Sequence, residues 1–354
     1  CEQGGIIGRM GGVFSVIEDN HIHHINNMME QGGAEIAGIK MHAAIDVTMR
    51  RNHIHHCTMG IWCDWEAQGT RLTQNLLHDN QKPAYAKNLK GGMMSQDIFV
   101  EVGHGPTLID NNVMLSDASL RFATEGVALV HNLICGALTC VGDGTGWRYT
   151  PYHMPHRTEV MGFMTILHGD DRIYNNIFVQ KWPSEDVIIP HDSDEGFDSE
   201  NRKAGTWMFD EYPTYEEWIS QFDFTKPVDM KKLEPVHFGH LPVWIEGNVY
   251  LNGAEACKNE VNGLVVSDKE AKVDLVEKER SYYLDTNVYD LVGEFKDRMI
   301  HSDILGKAFE PEQRFENPDG TAIQFDKDYF GGHRGMDVIP GPFAQAEDAK
   351  KVLF

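Results

Sequence analysis

Two acidic residues stand at matching places in a repeating sequence. Asp64 lies 11 residues before Asn75, and Glu101 lies 11 residues before Asn112. The two carboxylates are 37 residues apart, as are the two asparagines. Equal offsets from a repeated landmark put both groups at one position on successive coils of a stacked structure. Neighbouring strands of a sheet lie about 4.8 Å apart, so the carboxylates would stack at about 5 Å. At that spacing and an effective dielectric near 20, two like charges repel by about 3 kcal/mol. That is roughly two pKa units pushed onto one member. A retaining glycosidase uses such a pair, one ionised as nucleophile and one protonated as acid, with carboxyls ~5–5.5 Å apart. An inverting enzyme holds them ~6.5–9.5 Å apart. The alternative is that both are solvated face residues, or that one is paired with Arg71 or Lys87.

Neighbouring residues favour a sugar as substrate. GIWCDWEAQGT (60–70) sets Trp62 and Trp65 beside Asp64, and aromatic faces stack on the apolar C–H face of sugar rings. Strand alternation puts Trp62 and Asp64 on one face and Cys63 and Trp65 on the other. Either Trp could instead fill the core. Glu35, in QGGAEIAGIKMH (31–42), falls on the coil before, where it would bond a sugar hydroxyl or stand as a surface charge. His104, in the GHG of 103–105, is a further substrate-binding candidate. NHIHH occurs at 20–24 and again at 52–56, one coil apart. Zinc needs three or four converging ligands, and alternation separates His21 and His23 from His24. The histidines therefore read as a stacked turn ladder and not as a metal site. GDGTG (142–146) lacks the spaced acidic ligands of a calcium loop and reads as a turn.

These groups need a scaffold that stacks equal positions. Short runs of alternating apolar residues followed by Asn recur: SVIEDNHIHHINN (15–27), VTMRRNHIHHCTM (47–59), TRLTQNLLHDN (70–80), PTLIDNNVMLSD (106–117), VALVHNLICG (127–136) and DRIYNNIFVQ (171–180). Their asparagines are 20, 52, 75, 112, 132 and 176, spaced 32, 23, 37, 20 and 44. A unit of about 22 residues explains the spacings, with 44 read as two units. The gaps of 32 and 37 then carry insertions of roughly 9 and 14 residues, the longer visible as QKPAYAKNLKGGMM (81–94). Period-2 strands at this repeat length predict an all-β, right-handed parallel β-helix with loop insertions and a C-terminal mixed cap. Each Asn would bond the next coil and adopt left-handed geometry at the turn. The expected division is a β-helix core with the catalytic site over 1–180, and a part over 181–354 that packs on and caps it. VWIEGNVYLNG (243–253) would add a further coil, DSDEGFDSENRK (192–203) an acidic loop, and EYPTYEEWISQF (211–222) a short helix. TAIQFDKDYFGG (321–332) alternates like a strand.

Composition narrows the partners. The 354 residues carry a formal charge of −23, −6 through Gln180 and −17 beyond it. That excess argues against nucleic acid and anionic membrane surfaces. No run of about 18 apolar residues could span a bilayer. Six cysteines without a CxxC pattern give no dense disulfide framework and favour a reducing compartment, hence a cytoplasmic location.

AEIAGIKMHAAIDV (34–47), GIWCDWEAQGTR (60–71) and DIFVEVGHGP (97–106) closely resemble the motifs of glycoside hydrolase family 120, β-xylosidases built on a parallel β-helix. RYTPYHMPHRT (148–158), GDDRIYNNIF (169–178), DEYPTYEEW (210–218), LPVWIEGNVYLNG (241–253) and FEPEQRFENPDG (309–320) continue the resemblance over nearly the whole chain. It implies Asp64 as nucleophile, Glu101 as acid/base and Glu35 as a third carboxylate at the −1 sugar. It implies a retaining exo-enzyme that removes terminal β-xylosyl residues from xylo-oligosaccharides or aryl xylosides. No metal or organic cofactor is called for, and a homo-oligomer is compatible. Family members are longer, with an N-terminal stretch of β-helix interrupted by a β-sandwich, so the resemblance implies that this portion is missing here. The rivals are another β-helix carbohydrate enzyme, a pectinase or polysaccharide lyase, and a non-catalytic carbohydrate-binding β-helix. GDDR (169–172) with the GHG resembles polygalacturonase signatures, in reversed chain order.

Overall fold

The computed structural model describes residues 1–9, 12–30, 35–81, 95–140, 149–181 and 203–354, without 224, 228, 230 and 233–237. Most of the 81–94 insertion, the GDGTG segment and nearly all of the acidic 192–203 stretch lie outside them.

The chain is nearly all-β. Three parallel sheets of six, seven and eight strands receive the strands of the repeat in rotation. The first sheet runs Gly4–Gly8, Ala37–His42, Ile61–Asp64, Ile98–Glu101, Ala118–Ala123, Ala137–Cys140. The second begins at Val16–Glu18 and Thr48–Arg50 and ends at Val243–Glu246; the third runs from His21–His23 to Leu264–Val266. This topology is consistent with a β-helix. One residue type recurs at each interior level, because in-register parallel pairing puts like on like. Ile39, Ile61, Ile98, Leu120 and Leu138 form one apolar column. Met49, Leu72, Ile109, Leu129, Ile173 and Ile245 form a second. Ile22, Ile54, Leu77, Met114, Ile134, Phe178 and Tyr250 form a third. All three columns belong to one buried core.

The asparagines bind the coils together. The Oδ1 of Asn52, Asn75, Asn112, Asn132, Asn176 and Asn248 each accepts the backbone N–H and the side-chain amide of the Asn before it, at 2.9–3.2 Å. The ladder ends on Glu260, whose carboxylate accepts from the Asn248 backbone at 2.9 Å and from the Tyr250 hydroxyl at 2.6 Å. Two expectations change here. Asn132 bonds Asn176 directly, and Val127–Val130 pairs with Asp171–Tyr174. The gap of 44 is therefore one coil with a long insertion, not two coils. The insertion falls between the coil's own strands Ala137–Cys140 and Asp171–Tyr174 and holds the antiparallel hairpin Thr150–His153/Val160–Met164. The left-handed residue is not the ladder Asn but the one before it: Asp19, Arg51, Gln74, Asn111, His131, Asn175 and Gly247 have φ of 52–72°. The ladder Asn itself is not left-handed, and its amide reaches the neighbouring coil.

The C-terminal residues cover two of the three sheets. Ile300, Leu305, Phe315, Ile323 and Phe325 pack on Leu108, Ala128, Val130 and Tyr174 of the second. Val288, Tyr289, Val292 and Phe343 pack on Val113, Leu133, Ile177 and Val249 of the third. Ile323 and Phe325 alternate inward as expected, but that segment forms isolated bridges and no strand. The expected helix is Tyr215–Ser220, capped reciprocally by Thr214 and Glu217. All six cysteines are free thiols. Among the described residues no helix is long and apolar enough to cross a membrane.

Asn112 sits mid-ladder, and its buried amide also donates to the Leu72 carbonyl at 2.9 Å. Asn112→Ala leaves several buried partners unpaired, at about 1 kcal/mol for each lost bond. We expect a loss of about 3 kcal/mol, measured by urea denaturation.

Candidate active site

On the outer face of the first sheet, polar and aromatic side chains stand in two rows. Alternation sends Ile61 and Cys63 inward and Trp62 and Asp64 outward. In-register pairing extends the rows: Lys40, Trp62, Phe99 and Arg121 in one, His42, Asp64, Glu101 and Ala123 in the other. Asp64 and Glu101 are thus direct neighbours on adjacent strands, with relative exposures of 5% and 6%. Burial this deep makes their polar partners decisive.

Those partners differ. Lys40, fully buried, places its ammonium 2.5 Å from Asp64 Oδ2 and 3.4 Å from Glu35 Oε1. His42 Nε2 lies 2.8 Å from the same Asp64 oxygen. Glu101 Oε2 accepts the indole N–H of Trp62 at 3.0 Å. The Lys40 ammonium also sits 3.1 Å from the centre of the Trp62 ring, and Trp62 packs on Phe99 at 5.3 Å. Ligand atoms of Glu35, His42 and Asp64 lie within 4.8 Å of one another, close enough for a cation. Lys40 supplies that positive charge.

The structure brings Glu35, Trp62, Asp64 and Glu101 together and gives some of them other roles. Trp62 is 3% exposed, and the Lys40 ammonium lies against its ring. It orients Glu101 through its N–H and offers no face for a sugar to stack on. Trp65 is not on the core face with Cys63. The strand ends at Asp64, and left-handed turns at Trp65 (φ 45°) and Glu66 (φ 62°) carry Trp65 out to 42% exposure. His104 is no sugar donor either. It is buried, its Nδ1 bonded to Glu125 at 2.6 Å and its Nε2 to the Thr150 carbonyl at 3.1 Å. It anchors the inserted hairpin. Arg71 pairs with Asp110 at 2.8 Å and not with either carboxylate of the pair, and Lys87 lies outside the described residues. Asp170 pairs with Arg172 at 2.6 Å, and Asp171 accepts the Val127 N–H at 2.9 Å. The GDDR segment therefore serves packing.

Lys40 and His42 escaped the sequence analysis, and so did Glu66, which lies 3.0 Å from His153. The signal for His42 was present but shifted. It stands 10 residues before Asn52, where Asp64 and Glu101 stand 11 before theirs. A fixed offset lands on Met41 instead. Outward alternation through Ile39-Lys40-Met41-His42 was the usable clue.

Among solved structures, the complex structure of XylC with xylose is similar to this chain, with 34% identity and a TM-score of 0.82. The alignment covers 99% of this chain and 50% of that one, so the chain spans about half the length of XylC. No family model and no curated protein matches the chain.

Two outcomes follow. Lys40→Met strands buried carboxylates and should lower stability by about 3 kcal/mol. Arg50→Ala, which removes an exposed pair with Glu18, should change stability far less, because solvent screens the pair. Urea denaturation of both separates the buried pair from the surface one. The second outcome concerns His104. Burial works against its charge, but the Glu125 carboxylate prevails and holds its pKa above the usual imidazole value. The stabilisation is therefore complete below about pH 6.5 and fades as pH rises through the raised value. Glu125→Gln should be less stable than the wild type at pH 6, with a gap that narrows by pH 9 in paired denaturation curves.

Proposed function

We propose that this chain is a glycoside hydrolase acting on β-xylosides, built on a right-handed parallel β-helix and working with retention. The carrying observation is the in-register pair of Asp64 and Glu101 on one outer face. Adjacent strands are about 4.8 Å apart, which suits the ~5–5.5 Å of a retaining pair and leaves no room for an inverting water. The handedness follows the strong preference of parallel crossovers. XylC, which binds xylose in its solved complex, supports a xyloside as the substrate class. The likeness to family 120 motifs points the same way.

Asp64 attacks the anomeric carbon of a terminal xylose. Its negative charge is balanced by Lys40 and partnered by His42, which fix the oxygen that bonds them and aim the other. Glu101 gives its proton to the leaving oxygen, held in orientation by the Trp62 N–H. A covalent glycosyl–Asp64 ester results. Glu101 then takes a proton from water, the water oxygen attacks the same carbon, and β-xylose leaves with Asp64 regenerated. Glu35, at the edge of the Lys40 cluster and part-exposed, is placed to bond a sugar hydroxyl.

The test is hydrolysis of an aryl β-xyloside followed by proton NMR. The first-formed sugar should be β-xylose; α-xylose would mean inversion. Asp64→Ala should lose roughly 10⁴-fold or more in kcat. Azide should restore turnover to Glu101→Ala and not to Asp64→Ala. A fully active Asp64→Ala overturns the assignment.

A further inference from the structure

Away from the carboxylates, on the third sheet, the histidines of the two NHIHH segments meet a further histidine. Pairing stacks His21 on His53, and His23 on His55 and His78. The rings follow: His21 and His53 lie 4.6 Å apart and 4° from parallel, His55 and His78 4.7 Å apart and 5° from parallel. Across the columns, His21 Nε2 lies 2.8 Å from His55 Nε2, and His53 Nε2 lies 2.7 Å from His78 Nε2. Ligand atoms of His21, His53 and His55 all fall within 4.8 Å of one another. Three successive coils thus deliver imidazoles to one place.

We propose that this ladder is a divalent-metal site that takes a zinc-class ion on His21, His53 and His55, with His78 as the fourth imidazole. Imidazole nitrogens suit zinc, copper and nickel. A tetrahedral zinc with bonds of ~2.0–2.1 Å sets its ligand nitrogens about 3.3 Å apart. The two close N···N pairs need to open by about half an ångström to reach that spacing, and the stacked rings, 4.6 and 4.7 Å apart centre to centre, need to tilt so that their nitrogens converge.

The surroundings orient the lone pairs. His78 Nδ1 lies 2.6 Å from the Asp79 carboxylate, which accepts its proton and leaves Nε2 bare. A carboxylate behind a metal-bound histidine is the usual outer-shell arrangement. His55 Nδ1 likewise meets His56 Nδ1 at 2.7 Å, which accounts for that proton and frees Nε2. His21 and His53 then carry their protons on Nε2, donating to His55 and His78. For metal to bind, those two protons move to Nδ1. On His53 that atom is buried and has no hydrogen-bond partner, so the shift breaks no existing bond there. No net proton leaves the protein. Tyr282 closes edge-on over His53 at 4.4 Å and Phe354 lies 4.8 Å from it, while His21 stays exposed and open to entering ions. The ion would clasp together the coils that carry His21, His53 and His78.

The test uses the full chain, stripped with chelator and titrated with Zn²⁺ and Co²⁺. One equivalent should bind with low-micromolar or tighter affinity, and Co²⁺ should give the intense visible bands of a tetrahedral site. Zn²⁺ should raise Tm. His21→Ala changes an exposed ring, so it should fold as the wild type does and weaken binding at least 10-fold. His55→Gln should abolish it. His42→Gln, on the first sheet, should leave the stoichiometry at one. No saturable binding, or binding undiminished in both His21→Ala and His55→Gln, overturns the proposal.

Discussion

In-register parallel pairing is the constraint on which this structure depends. A residue in such a sheet has two neighbours it cannot avoid, the residues at its own level on the coils before and after. What a side chain does is set by whether it tolerates them. Apolar residues do so at no cost, and the three interior columns are the result. The asparagine ladder holds the register that makes those columns line up. A one-residue slip would send every core side chain to the opposite face.

The same constraint turns one outer face into chemistry. The C-terminal residues spend their apolar side chains on the second and third sheets. On the first sheet, the apolar patch of Ala37, Met59, Trp62, Phe99 and Ala123 lies beside the carboxylates. It forms a dry floor on which Lys40 lies, its ammonium against the Trp62 ring. Attraction between charges strengthens as water is excluded. Asp64 and Glu101 are nearly as buried as the core, yet they meet different partners, a cation for one and an indole N–H for the other. Two stacked carboxylates have thereby become unequal.

Much of this was legible because stacking is written into the sequence as spacing. The Asn landmarks gave the coils, and equal offsets gave the pairing of Asp64 with Glu101. What escaped reading was the variable part of each coil. The turn after His42 is one residue shorter than the turn after Asp64, which hid His42 and Lys40 from a fixed-offset search. The long insertion between Asn132 and Asn176 imitated a second unit because the gap it creates happens to be near two repeats. Trp65 was misplaced because alternation holds only while the strand lasts, and two left-handed residues end it there. Trp62 lay on the expected face, but sequence says nothing of a lysine from the coil before lying against its ring.

Which polar stacks become scaffold and which become sites follows from donor and acceptor counts. An asparagine amide both donates and accepts, so identical neighbours satisfy one another and the ladder propagates through seven residues until Glu260 ends it. An ionised carboxylate only accepts. Stacked carboxylates cannot satisfy each other and must draw donors from other side chains, here Lys40 and Trp62 of the neighbouring row and His42 at the end of their own. That arrangement is specific to two coils and ends where Ala123 follows Glu101. Histidine stands between the two cases. A neutral ring carries one donor and one acceptor, so facing imidazoles pair as N–H···N, His21 with His55 and His53 with His78, and unlike an amide each ring can move its proton to its other nitrogen and present a lone pair. The asparagine ladder is closed to ligands because every lone pair is spent within it. The carboxylate row and the histidine columns are not closed in this way, and those are the two places where we propose catalysis and metal binding.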